Sequence, residues 1–110
     1  MPSTMPSTFE IELLAGGSGL RLVGELDLAA ASQLGRQLAE AETTDGFVLD
    51  VSELTFIDSS GCGTILSYLR GAGDETRLVL ANPSPALFRT FELMGLPTHP
   101  QIEIRSMRVD

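Results

Sequence analysis

The stretch that most constrains this chain is Phe47 to Leu69, FVLDVSELTFIDSSGCGTILSYL. Phe47, Val48, Leu49 and Val51 form a nearly unbroken apolar run, as expected of a strand covered on both faces, and Phe56 and Ile57 are expected to continue the burial. Past Asp58-Ser59-Ser60-Gly61 the spacing changes. Cys62, Ile65, Leu66 and Leu69 recur at helical intervals, while Thr64, Ser67 and Arg70 fall on other faces. A buried strand therefore runs straight into a helix, and two hydroxyls stand at the junction. The first N–H groups of a helix lack intrahelical partners and carry the positive end of its dipole, which favours an anion there. The simpler reading is that Ser59 or Ser60 is an N-cap, worth about 1 kcal/mol.

The rest of the chain supplies strands and helices in alternation. Met1 to Thr8 is a tandem MPST, too small and polar to form a packed face, and is expected to be a disordered tail. Phe9, Ile11 and Leu13 alternate with Glu10 and Glu12, then Ala15-Gly16-Gly17-Ser18-Gly19 turns the chain into Leu20, Leu22 and Val23. A β-hairpin is the economical opening. Asp27 can cap a helix whose face is Leu28, Ala31, Leu34, Leu38 and Ala41. Because this helix and the one at Ser60 both start at strand ends, both N-termini are expected on one sheet edge, with Asp27 near Asp58 and Ser60. Gly71-Ala72-Gly73 stops the second helix, and Arg77 to Ala81 forms another strand. Ser84 and Pro85 then start a third helix, with Leu87, Phe88, Phe91 and Met94 on one face, and Ile102 and Ile104 mark a last strand. The order β-β-α-β-α-β-α-β predicts a small single-domain α/β fold, a mixed β-sheet with helical crossovers after an N-terminal β-hairpin. The domain is expected to span residues 9–106, between the tail at 1–8 and a loose C-terminal tail at 107–110. So small a domain implies no large cleft.

Composition narrows the function classes. With 110 residues, 43% of them hydrophobic, the chain fits one core. A formal charge of -8, with no lysine, argues against nucleic acid and against anionic lipid, and leaves basic protein patches as natural partners. One cysteine and one histidine cannot assemble a disulfide framework or a zinc cluster, no apolar run reaches membrane length, and the residues from Met1 onward lack the basic and apolar regions of a signal peptide. The expectation is a cytoplasmic protein without metal or cofactor.

Enzymatic motifs fail one by one. A hydrolase elbow needs glycine two residues before its serine, where Asp58 precedes Ser60. His99 lies in a Pro-flanked loop far along the chain, where an exposed loop residue is the simpler reading than a general base. Gly61-Cys62-Gly63 lacks the third glycine of a dinucleotide fingerprint, and no lysine can complete a P-loop. Cys62 reads as a small core side chain, the rival reading being a thiol activated by the helix terminus. Asp27, Asp58 and the hydroxyls could hold a magnesium ion, but surface carboxylates and caps explain them more simply.

Gly24-Glu25-Leu26-Asp27, Val48-Leu49-Asp50-Val51-Ser52 and Phe56-Ile57-Asp58-Ser59-Ser60-Gly61-Cys62-Gly63, with Asn82-Pro83-Ser84 downstream, closely resemble the STAS domain of bacterial anti-sigma-factor antagonists. The likeness runs through nearly the whole chain after residue 8. It implies a phospho-switch that is not itself an enzyme. The unmodified domain binds a serine-kinase anti-sigma factor and frees the sigma factor; phosphorylation ends the interaction, and a phosphoserine phosphatase restores it. The resemblance assigns the phosphate to Ser60 and the partner contacts to Asp27, Asp58, Ser59, Gly61 and Gly63, with ATP belonging to the kinase. Cys62 departs from the larger aliphatic residue usual there. The alternative within the same family is a STAS subunit or scaffold that docks constitutively in a lipid-transport or stress-sensing assembly.

Overall fold

A computed structural model describes residues 8–41 and 46–108. Five strands, β1 (Phe9–Leu13), β2 (Gly19–Leu26), β3 (Phe47–Ile57), β4 (Leu78–Ala81) and β5 (Ile102–Arg105), form one sheet in sequence order. The opening hairpin pairs β1 with β2 antiparallel, and β2 through β5 are parallel. The crossovers are α1 (Leu28–Glu40), α2 (Ser59–Ala72) and α3 (Pro85–Leu93). This is the mixed sheet expected from the sequence. Of the tail expected at the N-terminus, residues 1–7 lie outside the described residues.

A sheet laid down strand after strand in one direction with right-handed crossovers puts every helix on the same face. The core follows that rule. Leu34 and Leu38 of α1, Ile65 and Leu69 of α2, and Leu87 and Phe91 of α3 pack with Leu22, Leu49, Leu78 and Leu80 of the strands. The opposite face has no helix among the described residues. Val48, Val79 and Ala81 cluster there with Leu14 and Met107. Met107 is held at that place by Asn82, whose amide donates to its carbonyl and accepts from its N–H, both at 2.8 Å. Residue 107 is therefore tied to the sheet, in contrast to the loose tail expected from 107 onward; residues 109–110 lie outside the described set.

Several apolar residues are not where periodicity puts them. Phe56 is 47% exposed, because β3 carries two register shifts against β2 and its buried positions pass from an unbroken run (Phe47 to Val51) to every third residue (Leu54, Ile57). Leu28 is 73% exposed: as the first residue of α1 it stands at the sheet edge, and the buried face begins at Ala30. Leu13, Phe88 and Met94 are exposed as well; Met94 follows the last helical residue of α3, so it no longer shares the Leu87–Phe91 face.

Candidate functional site

The site is built where β2 and β3 deliver their chains into α1 and α2. Leu26 and Ile57 are register partners at the ends of these neighbouring parallel strands, and the N–H of Asp58 donates to the carbonyl of Leu26 at 3.4 Å. Asp27 and Asp58 thus leave adjacent strands, about 5 Å apart, at the same sheet edge. Each turns extended and caps the helix that follows. Asp27 Oδ1 accepts from Ala30 N at 3.0 Å, and Asp58 Oδ1 accepts from Ser60 N at 2.9 Å and Gly61 N at 3.1 Å.

The cap of α2 is therefore Asp58, and neither serine fills that role. Ser59 and Ser60 are the first two residues of the helix itself. A carboxylate is the stronger acceptor for the unpaired N–H groups of a first turn, and it leaves both hydroxyls unused. Among the described residues none hydrogen bonds to the hydroxyl of Ser59 or Ser60; Ser59 is exposed and Ser60 is half-buried. The terminus also offers less to an anion than a bare helix start, because two of its N–H groups already point at Asp58.

Three neighbours fix this turn from below. Gly61 is buried against β2 and β3: a Cβ there would lie 2.7 Å from Leu26 Cγ, 2.8 Å from Ile57 Cγ1 and 2.9 Å from the carbonyl oxygen of Leu26. Cys62 is buried, and burial, followed by the charge of Asp58, pushes its thiol up to about 11. That places Cys62 among core side chains and not among activated thiols. Thr64 donates to the carbonyl of Ala31 at 3.4 Å, tying α2 to α1. Gly63, in contrast, is exposed, and a Cβ added to it would meet no atom within 4 Å, so the space beside it is open.

Sequence reasoning missed two further sets of contacts along the strands that lead to this edge. Asp50, 1% exposed, accepts from Arg21 Nε at 2.8 Å and from Ser52 N at 3.1 Å, and Thr55 donates to the carbonyl of Gly24 at 3.0 Å. The unexplained aspartate in an otherwise apolar strand was the available signal. His99 is half-buried and caps its own turn, Nδ1 accepting from Gln101 N at 3.1 Å, where an exposed loop residue was expected. An open groove of about 580 Å³ runs between α1 and α2, lined by Ala31, Gly35, Thr64, Tyr68 and Gly71; the size of the domain gave no reason to expect it. Among the described residues no group of three His, Cys, Asp or Glu side chains could hold a metal ion, and no helix is long and apolar enough to cross a membrane.

With this geometry in place, comparison with known proteins is decisive. The family described as "Mlab, STAS domain" matches residues 11–104. This chain belongs to the STAS domain family. An anti-sigma F factor antagonist of Lysinibacillus sphaericus is 36% identical to it over 84 residues, covering 70% of this chain and 69% of the relative. Among solved structures, an anti-sigma factor antagonist from Mycobacterium paratuberculosis superposes with a TM-score of 0.69 at 27% identity, covering 87% of this chain and 84% of its own. The anti-sigma factor antagonist SpoIIAA, in its unphosphorylated form, superposes with a TM-score of 0.56 at 26% identity, covering 93% and 89%. The STAS fold read from the Asp-Ser-Ser-Gly stretch and its flanks is the fold these structures share.

Proposed function

We propose that this STAS domain is an anti-sigma-factor antagonist: unmodified, it binds a serine-kinase anti-sigma factor and releases the sigma factor, and phosphorylation of Ser60 switches the binding off. The observation that carries this reading is Ser60 itself, held in the first turn of α2 by Asp58 with its hydroxyl unengaged and its side chain only half-buried. The antagonists among its relatives, one of them described specifically as unphosphorylated, support the same function. The domain acts by binding and not by turnover, and its setting is the cytoplasm, where sigma factors work.

The switch follows from charge. A phosphoserine adds about 1.5 to 2 negative charges at neutral pH. Because the carboxylate of Asp58 already occupies the N–H groups of Ser60 and Gly61, the new phosphate meets a like charge at close range. Repulsion of two unit charges near 6 Å is on the order of one to a few kcal/mol at an effective dielectric of about 20. A partner that desolvates this surface meets that charge together with the bulk of the phosphate, enough for about a tenfold or greater loss of affinity. The dipole of α2 offsets part of the charge, so the phosphorylated domain stays folded. Asp27, Asp58, Ser59, Gly61 and Gly63 form or support the partner surface, and a phosphoserine phosphatase resets it.

The test is incubation with candidate kinase anti-sigma factors and ATP, followed by intact mass and phosphosite mapping. One phosphate is expected, on Ser60, absent in Ser60→Ala. Ser60→Ala should keep partner affinity and Ser60→Asp should weaken it. Stoichiometric phosphorylation of Ser60→Ala would rule the assignment out, and membrane co-purification without phosphorylation would favour constitutive docking in its place.

A further inference from the structure

The parallel ladder between β2 and β3 is irregular in a way that bears directly on the site. Arg21 pairs with Asp50, but Val23 pairs with Glu53; Gly24 pairs with Leu54, but Glu25 pairs with Phe56. Each shift puts one extra residue into β3, so the five steps from Arg21 to Leu26 are matched by seven from Asp50 to Ile57. Bulges are uncommon in parallel pairs and bend or re-aim the strand that carries them. At about 3.3 Å per residue, a ladder without them would leave Asp58 and the start of α2 displaced by roughly 7 Å relative to Asp27.

Each shift has its own pin. At the first, the buried carboxylate of Asp50 bridges the strands: Oδ2 accepts from Arg21 Nε on β2, at the last regular pair, and Oδ1 accepts from Ser52 N in the displaced segment. Arg21 is oriented in turn by Glu12 of β1, 3.6 Å away. At the second, Thr55, an exposed residue, donates its hydroxyl to the carbonyl of Gly24, the residue whose positive φ of 102° marks the break in β2. The pairing of β3 with β4 ends at Asp50, so beyond it the β2 ladder and these side-chain bonds set the course of β3.

We infer that Asp50 and Thr55 are positioning residues for the partner surface: they lock the two extra residues of β3 in place and thereby fix Asp58 and the first turn of α2 against Asp27. The functional meaning of this lock rests on the reading of the Ser60 edge as the partner surface, but the lock itself is a property of the free domain.

The experiment therefore uses the ¹⁵N-labelled full chain without any partner. Thr55→Val removes one hydroxyl from an exposed side chain and should leave the fold intact. It is expected to move the amide resonances of Asp58 to Gly61 and to speed hydrogen exchange at Ser60 and Gly61 by about tenfold, with the amides of β4 and α3 unchanged. Thr55→Ser, which keeps the hydroxyl, should restore the native pattern, and Asp50→Asn should reproduce the Thr55→Val pattern through the other pin. Resonances of Ser60 and Gly61 that stay in place in Thr55→Val would overturn the inference, as would exchange that rises evenly over the whole domain, the mark of general destabilisation. If Asp50→Asn does not fold, Thr55→Val and Thr55→Ser decide the matter. Failure of the phospho-switch reading shows separately, as wild-type protein that takes no phosphate.

Discussion

Asp58 Oδ1 lies 2.9 Å from the backbone nitrogen of Ser60 and accepts its hydrogen bond, so the residue that caps α2 also holds the serine two positions on. One carboxylate thus does two things. It satisfies two N–H groups of the first turn, and it holds a carboxylate against the backbone of Ser60.

These two roles separate by substitution. Asp58→Asn keeps an oxygen that accepts from Ser60 and Gly61 but removes the charge, whereas Asp58→Ala removes both. Asp58→Ala should cost about 1 kcal/mol of stability in urea unfolding and Asp58→Asn only a few tenths, since both Asp and Asn are good caps. Phosphorylated Asp58→Asn should recover part of the partner affinity lost by phosphorylated wild type, measured by calorimetric titration; no recovery would mean that bulk and not charge operates the switch.

Gly61 tests the seating of α2 on the strands. Its Cβ would collide with Leu26 and Ile57, including the carbonyl of Leu26, which cannot rotate away as a side chain can. Gly61→Ala should destabilise the domain by about 1–3 kcal/mol, the usual range for overpacking, as a lower urea midpoint with an unchanged slope. It should also weaken partner binding, because α2 must lift at its first turn.

The hairpin, the caps at Asp27 and Ser84 and the run of β3 into α2 are all legible in the sequence, since each is carried by local periodicity or a capping residue. The Ser60 junction is legible for the same reason. What periodicity does not convey is the two bulges in β3: they depend on side chains from β2 and β3 meeting, as Arg21 with Asp50 and Thr55 with Gly24, and no spacing within one segment announces them. The exposure of Phe56 is a direct result. The cap of α2 is ambiguous in sequence because Asp58, Ser59 and Ser60 are all good caps, and only the backbone turn at Asp58 decides among them.

Cys62 makes a prediction in pH. Its thiol is pushed up from 9.0 to about 11, so above pH 9 the unfolded chain releases a proton that the folded domain retains. The folded state then binds more protons, and stability falls as pH rises from about 9 to about 11. Cys62→Ala should abolish this part of the alkaline loss in urea titrations at matched ionic strength. Native protein at pH 8 should label with a thiol reagent only at the rate of unfolding; rapid labelling would contradict the burial of the side chain.

Gly63 is a residue whose presence the isolated domain does not explain, as is Gly71 near the far end of α2. Gly63 sits inside α2, its φ is not positive, and a Cβ there would touch nothing within 4 Å. Glycine at an exposed helical position is less favourable than alanine by about 1 kcal/mol, so Gly63→Ala should stabilise the domain by up to that amount. If the open space over the first turns of α2 is where the anti-sigma factor comes close, the same substitution should weaken its binding several-fold, chiefly through faster dissociation. A variant more stable than wild type yet weaker in binding separates a surface kept clear for a partner from one merely left bare, and surface plasmon resonance alongside urea unfolding reads both. Gain in stability with unchanged dissociation would remove Gly63 from the partner surface.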